Sequence, residues 1–425
     1  MNKRIAIIGG GIAGLTSAYY LHHVYDITLF EKSHRVGGNA YTLTTPEGED
    51  VDIAVAAFGG KSYTNFFELL RKLDVETISI MKLNPWVSFG LGLSFRSLDS
   101  DKKLYLTPSI KGLLSQNFDQ LRPSNLKTVL KLIRGLHIGR KLSDQGKLKG
   151  LSIEGALKKI PWLTGDAKLL FIGGLCWMSS MVCSDVLDAP ADFFIEKFKT
   201  HDDLLPPRSF YSVKFTKKRT KSYVEALSHG FKDKIILNAD VKAVIRKNDR
   251  ILLRMGDGET LVFDQVIFAC NADQALSLLE SPTQTETKLL GAWRYTEGRI
   301  IVHTDHSNFP KRELMEGYTF LYRHDGRYIE TSISGSLWAL PGVSRNNDLI
   351  STQHPNFQIN PKHIVFEKVF RTPIFDFNSV ATIKELPSLN GLNNTYYCGS
   401  HFGSGVHEDA VTSAIEIVRK LNVAS

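Results

Sequence analysis

The stretch from Arg4 to Thr42, RIAIIGGGIAGLTSAYYLHHVYDITLFEKSHRVGGNAYT, decides the fold. Four consecutive apolar residues, Ile5–Ile8, indicate a parallel strand that is covered on both faces. A Gly-x-Gly-x-x-Gly motif follows directly, and apolar residues then recur at helical spacing. The segment Asp26–Phe30 is predicted to be a second strand. The stretch therefore predicts the strand–turn–helix–strand unit that opens a dinucleotide-binding α/β fold.

The residues of the glycine motif have separate physical tasks. Gly9 permits the tight turn, Gly11 lets the backbone approach a pyrophosphate, and Gly14 lets the helix pack closely on the strand. Ile12 and Ala13 begin the helix, whose N-terminus offers free N–H groups and the positive end of its dipole to phosphates. All five residues are candidates for cofactor binding.

The residues after the second strand decide between NAD and FAD. Glu31 closes the strand, where its carboxylate can accept hydrogen bonds from ribose hydroxyls. The following segment, residues 34–42, reads R-x-G-G-x-x-x-T, and it resembles the motif of the FAD-dependent amine oxidase and phytoene desaturase superfamily. The resemblance implies a further backbone contact to the FAD diphosphate, with an arginine near the phosphates. The candidates in this extension are Lys32, Arg35, Gly37, Gly38 and Asn39.

Two later segments look like the rest of the flavin site. Asp233–Ala272 is predicted to be a series of short strands with turns at residues 247–249 and 256–258. The resemblance implies that Val241 contacts the adenine through its backbone, and the alternative is that Val241 is a plain strand residue. Asn394–Leu421 is predicted to be a strand, a glycine-containing turn and a helix that begins near His407.

In the superfamily, that last helix points its N-terminus at the pyrimidine edge of the flavin, where the reduced ring carries negative charge. The resemblance therefore implies a second set of cofactor contacts. Its members are Gly399, Ser400, His407, Glu408, Asp409 and Ala410. Ser400 stands where many members carry an aspartate.

The segment CGSHFGSGVHEDAVTSA, residues 398–414, is similar to one branch of the superfamily. That branch comprises bacterial predicted NAD/FAD-binding proteins, related to the flavin domain that precedes some plant cyclopropane fatty acid synthases. Residues 51–77 and 271–305 resemble the same branch, although Ala54 stands where a glycine is usual. The resemblance covers most of the chain and is weakest over residues 79–205.

The resemblance implies an α/β fold with a discontinuous, Rossmann-like FAD-binding domain of the GR2 type and an inserted α+β substrate domain. The FAD-binding domain is expected to comprise residues 1–80, 210–275 and 390–425. The substrate-binding and helical domain is expected to comprise residues 81–209 and 276–389. A chain of 425 residues is long enough for two such units.

Composition and residue spacing limit which cellular compartment and which binding partners we expect. The net charge of +8 favours anionic surfaces or substrates. The four cysteines form no CxxC pair, and no histidine spacing is typical of a metal site, so we expect a reducing compartment and no metal. The N-terminus reads as a phosphate loop and not as a signal peptide. We therefore expect a cytoplasmic protein that acts on a small molecule or lipid, without a nucleic-acid partner.

The middle of the chain is predicted to be mostly helical over Pro108–Thr200, with Leu169–Cys183 as a buried helix. Leu121–Gly150 contains eight Lys or Arg and one acid, and its apolar residues recur on one helical face. It therefore fits peripheral contact with the inner membrane surface or the solvated face of a substrate-domain helix, and the second is the more typical reading of such a charge run.

Met315–Ser334 alternates as a strand does, which places Tyr318 and Tyr322 on one side. In the superfamily such an aromatic sheet forms the floor of the substrate pocket, and the alternative is a plain sheet core. These two tyrosines and His407 are the candidates for catalytic contact.

The superfamily's flavin chemistry sets the expected reaction. A second Gly-x-Gly-x-x-Gly unit is missing, which disfavours a built-in NADPH domain. We expect an FAD-dependent oxidase or dehydrogenase that takes a hydride from a C–N or C–C bond of a small lipophilic substrate. The sequence does not identify the electron acceptor. The alternatives are a redox-neutral isomerase or desaturase-like enzyme that acts on an unsaturated fatty acid or lipid, and a non-catalytic flavin-bearing protein at a membrane surface.

Overall fold

A parallel sheet forms the centre of the molecule, which is seen here in a computed structural model. The structure describes residues 3–59, 62–79, 92–106, 110–115, 118–200, 213–315, 317–325 and 328–423. The sheet has the order β19–β13–β1–β2–β9 and all of its pairings are parallel. Its strands are β1 (Arg4–Ile8), β2 (Asp26–Phe30), β9 (Ile235–Ile236), β13 (Gln265–Phe268) and β19 (Thr395–Tyr397).

Alternate residues of β1 pack into two different hydrophobic cores, because successive side chains of a strand point to opposite faces of the sheet. Ile5 and Ile7 pack against a helical layer, while Ala6 and Ile8 face the opposite side. The helical layer consists of α1 (Ile12–Leu21), α2 (Thr64–Lys72), α9 (Arg219–Ser228) and α13 (His407–Lys420). The opposite side is covered by an antiparallel sheet of β10 (Val241–Lys247), β11 (Arg250–Met255) and β12 (Thr260–Phe263).

A seven-stranded sheet, largely antiparallel, forms the second part of the molecule, in the order β18–β14–β17–β16–β15–β6–β7. Its strands are β6 (Gly92–Ser97), β7 (Lys103–Leu106), β14 (Arg294–His303), β15 (Gly317–Asp325), β16 (Tyr328–Ser336), β17 (Ile350–Gln353) and β18 (Ile364–Ile374). Two short pairs join the parts, β3 (Thr42–Thr44) with β4 (Asp50–Asp52) and β5 (Thr77–Ser79) with β8 (Lys214–Thr216).

Helices occupy most of the segment between β7 and β8. They are α3 (Ile110–Ser115), α4 (Pro123–Asp144), α5 (Ile153–Leu157), α6 (Asp166–Ser179), α7 (Cys183–Asp188) and α8 (Ala191–Thr200). The remaining helices are α10 (Ala272–Leu278), α11 (Gln284–Gly291) and α12 (Phe377–Thr382). Among the described residues, no helix is both long enough and apolar enough to cross a membrane.

The predicted α/β fold is confirmed, with two local differences. The buried helix expected over Leu169–Cys183 ends at Ser179, because Ser180 adopts a left-handed conformation (φ 54°) and α7 begins at Cys183. The single alternating segment expected over Met315–Ser334 is instead two antiparallel strands, β15 and β16. The strands of the parallel sheet all lie in the segments expected to bind FAD, and those of the seven-stranded sheet all lie in the other two. The domain boundaries themselves stay a prediction.

Candidate functional site

A cleft of about 820 Å³ runs from the carboxyl ends of the parallel strands to the seven-stranded sheet. Its walls come from the glycine loop after β1, the segment after β2, strand β18 and the turn before α13. In open α/β sheets, ligands bind outside the carboxyl ends of the strands, so this is the expected place for a cofactor.

The glycine loop makes the turn that its sequence predicts. Gly9 has φ +112°, and its N–H donates to the Phe30 carbonyl at 2.8 Å. A Cβ on Gly14 would lie 1.9 Å from the Gly9 carbonyl oxygen, so only glycine allows α1 to pack this closely. A Cβ on Gly11 would meet nothing within 4 Å, because this residue faces the cleft.

The N-terminus of α1 is open toward the cleft. Gly11 is its N-cap and makes no side-chain capping bond, and the first turn contains no acid. Gly9, Ile12 and Ala13 also line the cleft, whereas Gly14 does not and acts in packing alone. An uncapped helix N-terminus beside a glycine turn is an anion site, and it suits a diphosphate.

Glu31 lies against the glycine loop. Its Oε2 accepts a hydrogen bond from the Gly10 N–H at 2.6 Å, and its Oε1 accepts one from the Ser33 N–H at 2.8 Å. The side chain is buried but borders the cleft. Each carboxylate oxygen has further lone pairs, so a ribose hydroxyl can donate to it as predicted.

The second glycine pair packs on the first. The Gly37 N–H donates to the Gly10 carbonyl at 2.7 Å, and a Cβ on Gly38 would lie 3.2 Å from the Cα of Gly11. Gly38 has φ +57°, which favours glycine for a second reason. The two glycine segments thus form one continuous backbone surface at the cleft.

Arg35 holds this second loop in place. Its Nη1 donates to the carbonyls of Val36 and Ala40, and its Nη2 donates to the carbonyl of Gly38. Its guanidinium carbon lies 3.8 Å from the ring centroid of Tyr41. The Nε atom is buried without a hydrogen-bond partner among the described residues. The positive charge therefore sits beside the backbone of the second glycine loop.

Lys32, Asn39 and Val241 all line the cleft. The chain just before β10 is tied to the end of β2, because the Ala239 N–H donates to the Glu31 carbonyl at 2.9 Å. This bond places the start of β10 beside the carboxylate expected to bind ribose. The assignment of Val241 to the adenine remains a prediction.

The turn after β19 contributes Gly399 and Ser400 to the cleft, and α13 contributes Ala410. Gly399 has φ +152°, and its N–H donates to Ser413 Oγ at 3.0 Å. The Sγ atom of Cys398 lies behind the cleft, 3.8 Å from Ser17 Oγ, as expected for a buried thiol.

His407 begins α13 and lines the cleft, but its ring is held by protein groups. Its Nε2 lies 2.8 Å from the Tyr223 hydroxyl, and the rings of Phe58 and Phe66 are 5.4 and 5.1 Å away. Burial lowers the pKa of His407 to about 3. The imidazole is therefore neutral at physiological pH and packs in an aromatic cluster.

Glu408 and Asp409, which the resemblance assigns to the cofactor, both accept hydrogen bonds from the protein. Glu408 accepts hydrogen bonds from the N–H groups of Asn65 and Phe66, each at 2.8 Å, and so caps α2. Asp409 accepts bonds from the Val406 N–H at 3.0 Å and the Ser404 hydroxyl at 3.1 Å. Neither residue is among the lining residues described for the cleft, because backbone donors within the protein already engage both carboxylates.

The two candidate tyrosines lie in different surroundings. Tyr318 lines the cleft, and its ring centroid lies 5.1 Å from that of Trp177. Tyr322 is not among the lining residues, since only the first residues of β15 reach the cleft. Phe320, between them on the same face, stacks on Phe95 in the core. The aromatic face is therefore part cleft and part sheet core, and the catalytic assignments of Tyr318 and Tyr322 stay predictions.

Three residues that line the cleft are absent from the sequence-based site assignments, and they are Lys197, Asp52 and His401. Lys197 is buried at the cleft, 5.1 Å from the ring of Phe375, and burial lowers its pKa to about 8. Asp52 accepts bonds from the Thr220 N–H and hydroxyl, and it also lines the cleft. Neither residue stands in a recognisable motif, and only their tertiary position singles them out.

His401 lines the cleft beside Trp293, with 5.6 Å between the ring centroids. Burial lowers its pKa to about 4, and its Nε2 atom is buried without a hydrogen-bond partner among the described residues. Such a nitrogen is suited to contact a bound group. In the described part of the chain, no three His, Cys, Asp or Glu side chains are grouped to hold a metal ion.

Comparison with known proteins agrees with this geometry. Residues 7–73 match the family described as an NAD(P)-binding Rossmann-like domain. The chain is 34% identical over 92 residues to amine oxidase [flavin-containing] A from Canis lupus familiaris, which is 21% of this chain and 17% of that protein. It is 27% identical over 92 residues to amine oxidase [flavin-containing] B from Rattus norvegicus, covering 18% of that protein.

Over these 92 residues the chain is similar to the flavin-containing amine oxidases. The matched region spans less than a fifth of the length of these curated relatives. The family match over residues 7–73 lies in the segment that contains β1, α1 and β2.

Solved structures of the superfamily fold cover the whole chain. Cyclohexylamine oxidase from Brevibacterium oxydans IH-35A aligns with a TM-score of 0.67 at 13% identity, over 99% of this chain and 100% of that one. A CLA-producing fatty acid isomerase from P. acnes aligns with a TM-score of 0.62 at 15% identity, over 99% of each chain. At such identities these structures share the fold alone. The curated relatives are named as flavin-containing, which agrees with the FAD that the sequence predicts.

Proposed function

We propose that this protein is an FAD-dependent oxidoreductase that takes a hydride from a C–N or C–C bond of a small lipophilic substrate, with the C–C bond favoured. FAD, when bound, supplies the hydride acceptor, and the protein contributes binding, orientation and electrostatics. The observation that carries the proposal is the cleft, which is continuous from the glycine loops to an apolar, aromatic end.

The residues of the glycine loops fit FAD. Gly11 leaves open space at the uncapped N-terminus of α1, and Gly38 packs against it to extend the surface of backbone amides. Arg35 places positive charge beside that surface. Glu31 has oxygens available to a ribose. These groups would hold the diphosphate and the ribose and so fix the direction in which the cofactor lies.

Beyond the glycine loops the lining includes many large apolar side chains. Its members include Phe58, Trp177, Met178, Tyr318, Ile333, Leu337, Leu340, Phe370 and Phe375. Such a wall stabilises a lipophilic substrate by removing its apolar surface from water. The proposed substrate is therefore mainly hydrocarbon at its reacting end.

The charges of the lining favour a neutral or anionic polar group on that substrate over a cationic amine. The carboxylates among the described lining residues are Glu31 and Asp52, and both already accept hydrogen bonds from the protein. The lining cations beyond the glycine loops are Lys197, Lys368 and Arg371. An ammonium group would meet like charge without a free carboxylate, which disfavours it.

Lys197 is the cation best placed to meet a polar group at the aromatic end. It lies near Phe375, and its pKa of about 8 leaves the ammonium form predominant at neutral pH. A substrate carboxylate would stabilise that form further. His401, neutral at this pH, could donate to or accept from a bound group at its free Nε2.

Anaerobic mixing of the FAD-loaded protein with paired substrates tests the proposal. The pairs consist of a fatty acid and the amine of the same chain length, each in saturated and unsaturated form. We expect bleaching of the flavin absorbance by the acids at lower concentration than by the amines. Bleaching by amines alone would contradict the proposed substrate class, and no bleaching by any lipophilic substrate would contradict the proposed oxidation.

A redox-neutral isomerisation of an unsaturated fatty acid is the second candidate, because the same apolar and cationic lining fits its substrate equally well. Consumption of an electron acceptor separates the two reactions. The isomerase would convert substrate to an isomer with no net consumption of oxygen or quinone, whereas the oxidoreductase would consume one acceptor for each substrate oxidised.

A further inference from the structure

Large apolar side chains are exposed in succession between α3 and the middle of α4. We call this set the apolar strip. Their exposed fractions run from 40% to 61%, and they are Ile110, Leu114, Phe118, Leu121, Leu126, Leu130 and Ile133. Single exposed apolar residues are normal, but a concentration in one segment marks an interaction surface.

The packing of α4 fixes which side faces outward. Gly135 and Gly139 are buried in the contact between α4 and the body of the protein. A Cβ on Gly135 would lie 2.4 Å from the Leu163 side chain, and one on Gly139 would lie 3.2 Å from Ile160 and Ile195. Close contact at these two glycines leaves the opposite side of α4 to solvent.

That opposite side carries the three residues of the apolar strip that belong to α4. Leu126, Leu130 and Ile133 follow at i, i+4 and i+7, which places them on one line along the helix. Their exposed fractions are 44%, 61% and 42%. The exposed side of α4 is therefore apolar along the line of these three residues.

Basic side chains border the strip on both sides. At 3.6 residues per turn, Arg122 and Arg140 fall on one flank, and Lys127, Arg134 and Lys141 fall on the other. The guanidinium of Arg134 also covers the ring of Trp162 at 4.6 Å, and that ring is 37% exposed. The acids close in sequence are Asp119, which pairs with Arg122, and Asp144 at the end of the helix.

We propose that the apolar strip docks on a membrane surface that contains anionic lipids. An apolar line flanked by lysine and arginine lets the side chains enter the acyl region while the cations meet lipid phosphates. An acidic protein groove would satisfy the cations, but it would not favour so long an apolar line on an outward, convex helix. A lipid surface satisfies both features.

Docking at this surface would bring the cleft close to lipophilic molecules. Helix α4 packs on α6, and the end of α6 supplies Trp177, Met178 and Ser179 to the cleft. The docking proposal itself rests on the surface of α4 and does not depend on the proposed reaction.

Sedimentation of the full-length, FAD-loaded protein with lipid vesicles tests the proposal. The vesicles contain phosphatidylcholine alone or phosphatidylcholine mixed with phosphatidylglycerol. The test variant is Leu126→Ser/Leu130→Ser/Ile133→Ser. The matched control is Val24→Ser/Val262→Ser/Leu392→Ser, whose residues are 47%, 41% and 57% exposed but lie elsewhere on the protein. Flavin content and far-ultraviolet circular dichroism confirm that each variant is folded.

We expect the wild type and the control to bind the mixed vesicles, and we expect the test variant to bind them at least about tenfold more weakly, because it loses buried apolar area. Binding of the wild type should fall with added salt, and Lys127→Gln/Lys141→Gln should weaken it further. Equal binding by the wild type and the test variant would overturn the proposal. So would no binding to mixed vesicles, or a wild-type dimer that the test variant abolishes.

Discussion

At the scale of single residues, the glycine motif was predictable because its roles are local. The structure shows the positive φ of Gly9 and the close packing at Gly14, whereas the approach of Gly11 to a pyrophosphate stays a prediction. Lys197 was not predictable, because its low pKa arises from burial among residues that are distant in sequence. Motif spacing carries no information about such an environment.

Gly11→Val is expected to abolish FAD binding without unfolding the protein. A side chain there meets no protein atom within 4 Å, so its bulk projects into the space expected for the diphosphate. Gly174→Val is the matched control, since that glycine also has open space around its Cβ but does not line the cleft. Titration of the apo-proteins with FAD, followed by flavin fluorescence, measures the difference. Retained binding in Gly11→Val with wild-type affinity would refute this use of the glycine loop.

Lys197→Met is expected to stabilise the protein at pH 7. Burial lowers the pKa of Lys197 from 10.5 to about 8, so the unfolded chain binds more protons between these values. The wild type therefore gains stability as pH rises through that window, and at pH 7 the protonated lysine destabilises the folded state by about 3 kcal/mol. Urea unfolding at pH 7 and pH 10 should show a difference between variant and wild type that narrows at pH 10. A difference independent of pH would argue against this ionisation.

At the scale of elements, the order of strands and helices in the dinucleotide-binding part followed from hydrophobic pattern and turn residues. The role of the acids at the start of α13 was harder to predict, because acids in a first helical turn suit the helix dipole whatever else they contact. Glu408 instead bonds to the N-terminus of α2, which lies far away in sequence. A single sequence does not reveal such a pairing between helices.

Glu408→Ala is expected to lower the free energy of unfolding by about 1–2 kcal/mol and to leave FAD affinity unchanged, because the variant removes the cap of α2 and no residue of the cleft. Glu416→Ala, on the exposed side of the same helix, serves as the control and should change neither quantity. Thermal unfolding and FAD titration report the two effects separately. A large loss of FAD affinity at unchanged stability would support the cofactor assignment of Glu408 that the resemblance implies.

At the scale of the whole molecule, the two sheets share one cleft whose composition changes along its length. The end at the glycine loops offers backbone amides and Arg35, and the far end offers aromatic and aliphatic side chains with Lys197 among them. The sequence predicted the first end in detail. It did not predict the second, since that wall is assembled from α6, β15, β16 and β18, which only the folded chain brings together.

The most direct test of the account is the absorbance spectrum of the purified protein, followed by heat release and chromatography of whatever is bound. The glycine loops, Glu31 and Arg35 predict flavin bands and release of FAD. A colourless protein that neither retains FAD nor takes it up on addition would contradict the central claim that this cleft is a flavin site.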